Sequence, residues 1–244
     1  AAVGHALNRL AATLEHEEEV RRESVADLAH ELRTPVSGLL SRVEAAQDRV
    51  LEDVHANLEA MHVEALRLSV LLDDLTRLAE AQRPGMLIEK HPLDVATVGE
   101  EQAQAFFPRF AEKEIGFETA LAPALVLGDA GRLSQIVSNL LENALRYTPS
   151  GERVTLRVRE EAESAVLEVI DTGIGIAPED LRHIFTRFWR GEKSRSRETG
   201  GAGIGLAIVA ELVHAHDGRI DVESKLGEGS TFRVTLPLAA GLHE

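Results

Sequence analysis

The sequence predicts an α-helical hairpin that pairs with a second copy into a dimeric four-helix bundle, followed by an α+β sandwich in which helices cover one sheet. Three observations carry this. The first eighty or so residues hold almost no Gly or Pro and place apolar residues at helical spacing. Nearly all of the 19 glycines fall in the remainder. There, short strand-like runs mix with helical stretches without the regular alternation of a parallel fold.

In the first part, Val25, Leu28, Leu32, Val36, Leu39, Val43, Ala46 and Val50 are separated by threes and fours, the seam of a long amphipathic helix. After a charged break at Glu52 and Asp53 the pattern resumes at Val54, Leu58, Met61, Ala65, Leu68, Leu72 and Leu75. Two helices joined by a short connection fold back on each other. A lone hairpin covers only part of two such stripes, so a homodimer is expected. Pro35 lies inside the first helix, lacks an amide for its backbone bond and predicts a kink just after His30.

Gln82, Arg83, Pro84 and Gly85 end the helical pattern and mark a domain boundary. Beyond it, helices are expected over Asp129–Tyr147 and Ile204–His214, and strands over Val154–Val158 and Val166–Val169. Arg219–Ser224 and Ser230–Leu236 flank a Gly-Glu-Gly turn and read as a hairpin.

Composition narrows the function. The chain has 244 residues, 44% of them hydrophobic, enough for a packed core. Its 26 Lys and Arg against 41 Asp and Glu give a net charge of -15, which argues against an extended grip on nucleic acid. The absence of cysteine excludes disulfides, thiolate metal sites and cysteine nucleophiles. No apolar run reaches the roughly 18 to 20 residues of a membrane span, so any anchor is expected outside these residues.

Four segments of the second part carry chemistry. In NLLENALRY, Asn139, Asn143 and Arg146 share one helix face, where carboxamide oxygens can ligate a hard cation and the guanidinium can meet phosphate. In DTGIGI, Asp171 can accept from an amino group while Gly173 and Gly175 let backbone approach a flat ring. Phe185, Phe188 and Trp189 precede the polar stretch Gly191–Gly200, which reads as a mobile lid. GGAGIGLAIV, from Gly200 to Val209, is a flexible loop entering a helix whose first amides can receive phosphate. Taken singly these are capping groups, turns and core aromatics. Their order and spacing together point to a nucleotide site, although no Gly-Lys-Ser/Thr loop and no strict GxGxxG is present.

These segments resemble the N, first glycine, F and second glycine boxes of the histidine-kinase ATP-binding domain, in the class that includes gyrase, MutL and the heat-shock chaperone ATPases. The match runs from about residue 86 to 238. The resemblance implies that Asn143 holds Mg²⁺, that Arg146 and Tyr147 border the nucleotide and that Asp171 binds the adenine amino group. It further implies that Thr231, in GSTF, supports the adenine end through water. The nucleotide-contacting set so assigned is Asn139, Asn143, Arg146, Tyr147, Asp171, Gly173, Gly175, Ile176, Gly201, Gly203, Gly205, Leu206 and Thr231, with ATP and Mg²⁺ as cofactors. Ala202 departs from a common hydroxyl residue and Ile204 from the usual leucine.

HELRTP, His30 to Pro35, resembles the phospho-acceptor box of the same family and stands about a hundred residues before the matching ATP-binding part. His30 is thereby the expected acceptor. One imidazole nitrogen must keep its proton while the other attacks, and Glu31 can hold the Nδ1 proton so that Nε2 is the nucleophile. Thr34, one helical turn after His30, is expected to orient water in a second, phosphatase activity. Reaching a nucleotide on another domain implies hinge motion near residues 83–86.

Gly4–Arg22 resembles the second helix of a HAMP signal-relay module, implying an upstream membrane segment and sensor. The expected organisation is a relay helix over 1–22, a dimerisation and phospho-acceptor domain over 23–85 and an ATP-binding domain over 86–244. The whole reads as the cytoplasmic part of an inner- or plasma-membrane sensor protein that phosphorylates itself and then an aspartate of a response-regulator receiver domain. Two rivals are a gyrase- or chaperone-like ATP-driven machine and a non-catalytic pseudokinase scaffold. Asn139 stands where such machines place a water-activating glutamate, and an intact nucleotide site argues against the scaffold.

Overall fold

The computed structural model describes residues 35–47, 54–65, 68, 88–187, 189 and 203–239. Described residues up to Leu68 belong to one compact unit and those from Ile88 onward to a second. The expected boundary at Gln82–Gly85, the relay helix and the kink before Pro35 lie outside the described residues, as do Glu52 and Asp53.

The first unit contains helix α1, described over residues 35–47, and helix α2, over residues 54–65. Asn57, 7% exposed, is where they interlock. Its Nδ2 donates to Arg42 O and its Oδ1 accepts from Arg42 Nη1, both at 3.3 Å, so the two helices lie against each other at this point. A polar pair inside a helical seam is tolerated when its groups satisfy one another. Leu39 and Val43 of the expected seam are half-buried, while Val36, Val54 and Leu58 remain more than half exposed in a single copy.

The second unit is the expected α+β sandwich. Strand β1 (His91–Asp94) leads into α3 (Val95–Glu112), followed by β2 (Gly116–Leu121), β3 (Leu125–Gly128) and α4 (Ala130–Tyr147). Then come β4 (Arg153–Glu161), β5 (Ser164–Asp171), α5 (Gly205–Ala215), β6 (Arg219–Lys225) and β7 (Gly229–Pro237). β1 and β3 form a small antiparallel pair, and the main sheet has the order β2-β4-β5-β7-β6, with only β2 and β4 parallel.

Each helix forms for a local reason. Asp94 caps α3 by accepting from Ala96 N at 3.0 Å, and the same oxygen accepts from Ala124 N at 2.8 Å. Asp129 caps α4 through Arg132 N at 3.1 Å. On α4, Leu133, Ile136, Val137, Leu140, Leu141 and Ala144 recur at threes and fours and are buried. α5 buries Ala207, Ile208, Val209, Leu212 and Val213. Buried His216, just past α5, accepts from Asp129 N at 3.1 Å through Nε2 and donates Nδ1–H to Leu212 O at 2.7 Å, tying the end of α5 to the start of α4.

Strand alternation sorts the sheet into two faces. Val154, Leu156 and Val158 of β4 pair with Asp171, Val169 and Leu167 of β5, which pair with Ser230, Phe232 and Val234 of β7. This face is buried, and all but two of these residues are hydrophobic. The exceptions, Asp171 and Ser230, sit together at one end. On the other face Glu168, 2% exposed, accepts from Arg157, Arg159 and Arg233. Burial raises its pKa, but Arg159 and Arg233 outweigh that and hold the carboxyl below its ordinary range.

The strands run longer than expected: β5 extends back to Ser164 and β4 on to Glu161. Their outer ends carry Glu160, Glu161 and Ser164, and no apolar pattern marks them. The sequence pattern does not predict β1, β2, β3 or α3.

Candidate nucleotide-binding site

The polar edge of α4 is the floor of the site. With Leu140, Leu141 and Ala144 turned into the core, Asn139, Asn143, Arg146 and Tyr147 fall on its half-buried margin. The side-chain nitrogens of Asn139 and Asn143 are buried and have no hydrogen-bond partner. A buried donor left unmatched costs about 1–3 kcal/mol. Two such donors one turn apart mark a place built for a ligand acceptor. The end of α4 is held by Lys113, whose Nζ donates to Leu145 O at 2.6 Å, Thr148 O at 3.0 Å and Arg146 O at 3.3 Å.

Asp171 closes β5 at one wall. It is 7% exposed, and burial raises its pKa against the opposing effect of backbone bonds from Gly173 and Ser230. Gly173 N donates to Asp171 Oδ1 at 2.9 Å. A Cβ on Gly173 would lie 2.5 Å from Tyr147 O, so a side chain there would drive the loop off α4. The neighbouring Ile174 N donates to that same Tyr147 O at 3.2 Å. Gly175 has φ +64° and its Cβ would collide with Lys225 O, so both conformation and space require glycine. Ile176 N donates to Ser224 Oγ at 2.8 Å, and Gly227 N to Ile174 O at 2.8 Å. The DTGIGI loop is thereby fastened to α4 on one side and to the β6–β7 turn on the other.

Gly203, Gly205 and Leu206 lie at the start of α5. No side chain caps this helix, so its first amides keep their donors. Gly205 faces Asn139, whose Oδ1 is 3.6 Å from where a Cβ would stand. Asn139, Asn143, Arg146, Tyr147, Asp171, Gly173, Gly175, Ile176, Gly203, Gly205 and Leu206 all lie on the α4 margin, the DTGIGI loop or the start of α5. His30, Glu31, Thr34 and Gly201 are outside the described residues. Of the aromatic segment, Phe185 is half-buried, Phe188 is outside the described residues and Trp189 stacks on His183 with centroids 6.2 Å apart. Arg187 pairs with Glu211 of α5.

Thr231 is a correction. It pairs with Ile170, one residue out of phase with the Asp171–Ser230 pair, so its side chain lies on the opposite face of the sheet. The hydroxyl residue on the Asp171 face is Ser230, joined to Ser224 at 2.9 Å between Oγ atoms. Period-two counting back from the buried Phe232 would have picked out Ser230.

A buried acceptor at one wall, unmatched amide donors on the floor and uncapped amides at α5 suit a molecule with an amino-bearing ring at one end and phosphates at the other. The Asn139 and Asn143 carboxamides, each with an oxygen beside its orphaned nitrogen, suit a hard cation accompanied by phosphate oxygens. ATP and Mg²⁺ fit this donor set.

Comparison with known proteins agrees with that chemistry. Residues 128–240 match the family model for histidine kinase-, DNA gyrase B- and HSP90-like ATPases, and residues 20–84 match the His kinase A (phospho-acceptor) domain. The signal transduction histidine-protein kinase BaeS of Escherichia coli K12 is 37% identical over 236 residues, which is 96% of this chain and 50% of that protein. The mycobacterial sensor histidine kinase MprB is 30% identical with TM-score 0.54, over 61% of this chain and 97% of the solved chain. Full-length ShkA, solved in complex with AMPPNP, is 30% identical with TM-score 0.62, over 89% of this chain and 46% of that one. The chain spans about half the length of the curated relatives it matches.

Proposed function

Because this chain belongs to the sensor histidine kinases of two-component systems, we propose that it is an ATP-dependent protein-histidine kinase that phosphorylates His30 and passes the phosphoryl group to an aspartate of a response regulator. The observation that carries this reading is the pairing of orphaned amides on Asn139 and Asn143 with the buried acceptor Asp171. A solved relative in complex with AMPPNP supports the choice of nucleotide.

In this mechanism Asp171 accepts from the adenine amino group, and Gly173 and Gly175 let the loop backbone lie against the ring. The Asn139 and Asn143 carboxamides and Arg146 orient the phosphates, with Asn143 as the ligand for Mg²⁺. Held there, Mg²⁺ would supply neutralisation of the phosphate charge while the γ-phosphoryl group is transferred. Glu31 holds the Nδ1 proton of His30. The Nε2 lone pair then attacks the γ-phosphorus, the bond to the β–γ bridging oxygen breaks, and that oxygen leaves on ADP. The domains are proposed as 23–85 for dimerisation and acceptor and 86–244 for ATP binding, with 1–22 as a relay helix. The apolar residues left exposed on α1 and α2, Val36, Leu40, Val54 and Leu58, support assembly as a homodimer. Membrane attachment would come from segments outside this chain; among the described residues no helix is long and apolar enough to cross a membrane.

Incubation with γ-labelled ATP and Mg²⁺ tests the reading. The label is expected on the wild-type chain, lost in acid and stable in alkali, and absent from His30→Gln while ADP binding persists. Acid-labile label on His30→Gln would remove His30 as the acceptor, and absence of labelling from an ATP-binding wild-type chain would favour the scaffold.

A further inference from the structure

Ser224 stands on β6 beside the site but belongs to none of the four motifs. Its hydroxyl is fully engaged. Ile176 N donates to it at 2.8 Å, Gly229 O lies 2.9 Å away and Ser230 Oγ 2.9 Å away. A carbonyl only accepts, so the single Ser224 proton goes to Gly229 O. In the contact between the two serines, Ser230 is therefore the donor. Its only proton is committed, and it keeps just lone pairs for whatever approaches. Asp171, the cross-strand partner of Ser230 on the same face, is likewise acceptor-only when ionised.

Resting on the adenine-nucleotide reading of the site, we propose that Ser224 is a positioning residue that determines base specificity. Through Ser230 it makes the base end of the site a wall of acceptors, which selects a purine with a 6-amino donor over one with a 6-oxo acceptor. A 6-amino group meets such a wall with its protons, whereas a 6-oxo group sets lone pairs against lone pairs. A water bridging Ser230 to the ring carries the same preference. It donates one proton to Ser230, and its other proton suits the bare N1 of adenine, not the protonated N1 of a 6-oxopurine. Removing the Ser224 hydroxyl frees Ser230 to turn its proton toward the ligand, and the wall loses its polarity.

Titration calorimetry on the 244-residue chain with Mg²⁺ and either ADP or inosine diphosphate tests this. Wild type is expected to prefer ADP, and Ser224→Ala to narrow the ratio of the two affinities by about 3- to 10-fold, the worth of one hydrogen bond. Ser224→Thr, which keeps a hydroxyl, retains the ratio. In a Ser230→Ala background, Ser224→Ala leaves the ratio where Ser230→Ala alone has put it. Equal weakening of both nucleotides by Ser224→Ala overturns the inference, reduces Ser224 to a loop anchor and leaves the nucleotide site standing. Should Ser224→Ala fail to fold, Ser230→Ala decides, and a wild-type ratio in that variant overturns the inference. A wild-type chain that binds neither nucleotide overturns the site itself and this inference with it.

Discussion

Gly173 donates its backbone N–H to Asp171 Oδ1 at 2.9 Å, within a loop that Ile174 ties to Tyr147 O. The carboxylate is thus aimed by its own chain two residues on, while burial works against its charge. Holding the charged Asp171 there costs the protein stability.

The sign of that cost is testable. A carboxyl whose folded pKa is raised contributes stability below its unfolded pKa and loses it as pH rises through the folded value. Above its folded pKa the wild-type protein has lost that contribution. Asp171→Asn keeps an oxygen for Gly173 N and carries no charge. Its melting temperature is expected to exceed wild type at pH 7, with the gap closing below the ordinary carboxylate range, while ADP affinity falls about tenfold or more. Scanning calorimetry across pH and nucleotide titration measure the two. A variant less stable than wild type at pH 7 would show that the buried charge is not a burden.

Asn143→Ala removes an amide whose nitrogen has no partner in the protein. Stability is expected to hold or rise, because an unmatched buried donor is removed and no internal hydrogen bond is lost. Mg²⁺-dependent strengthening of ATP binding is expected to disappear. Titrations with and without Mg²⁺ check this, and an unchanged metal effect would move the cation elsewhere.

Glu168 behaves oppositely to Asp171. Its pKa is lowered, so its contribution is present above the unfolded pKa and lost as pH falls through the folded one. Glu168→Gln leaves Arg157, Arg159 and Arg233 without their shared anion and should cost about 1–3 kcal/mol at neutral pH. The difference from wild type should shrink as acid protonates the wild-type carboxyl. Urea denaturation at pH 7 and at acid pH reads it, and equal stability at pH 7 would make the cluster a surface ornament.

Thr34 follows His30 by four residues, the spacing that sets two side chains on one face of a helix. A regulator aspartate brought to His30 would also meet the Thr34 hydroxyl. Thr34→Ala is expected to keep most self-phosphorylation and lose acceleration of regulator dephosphorylation. The decay of pre-phosphorylated regulator with either protein plus ADP measures this, and equal decay would leave Thr34 bonding the His30 carbonyl as a helical threonine does.

Local chemistry made much of this protein legible in the sequence. Helical spacing put Asn139, Asn143 and Arg146 together on one face of α4, and the DTGIGI glycines, expected to admit backbone to a flat ring, mark a loop that comes close to Tyr147 O and Lys225 O. Such signals lie within one or two turns of chain. Tertiary structure alone decided what depends on partners distant in sequence. Lys113 reaches the end of α4 across 32 to 35 residues, and Ile176 finds Ser224 across 48. It also decided that Ser230, not Thr231, accompanies Asp171, since a strand's two faces acquire meaning only when the register with its neighbour is set. β2 and β3 were hidden for the same reason: six and four residues long and largely uncovered on one side, they hold their shape through pairing with β4 and β1, not through a pattern of their own.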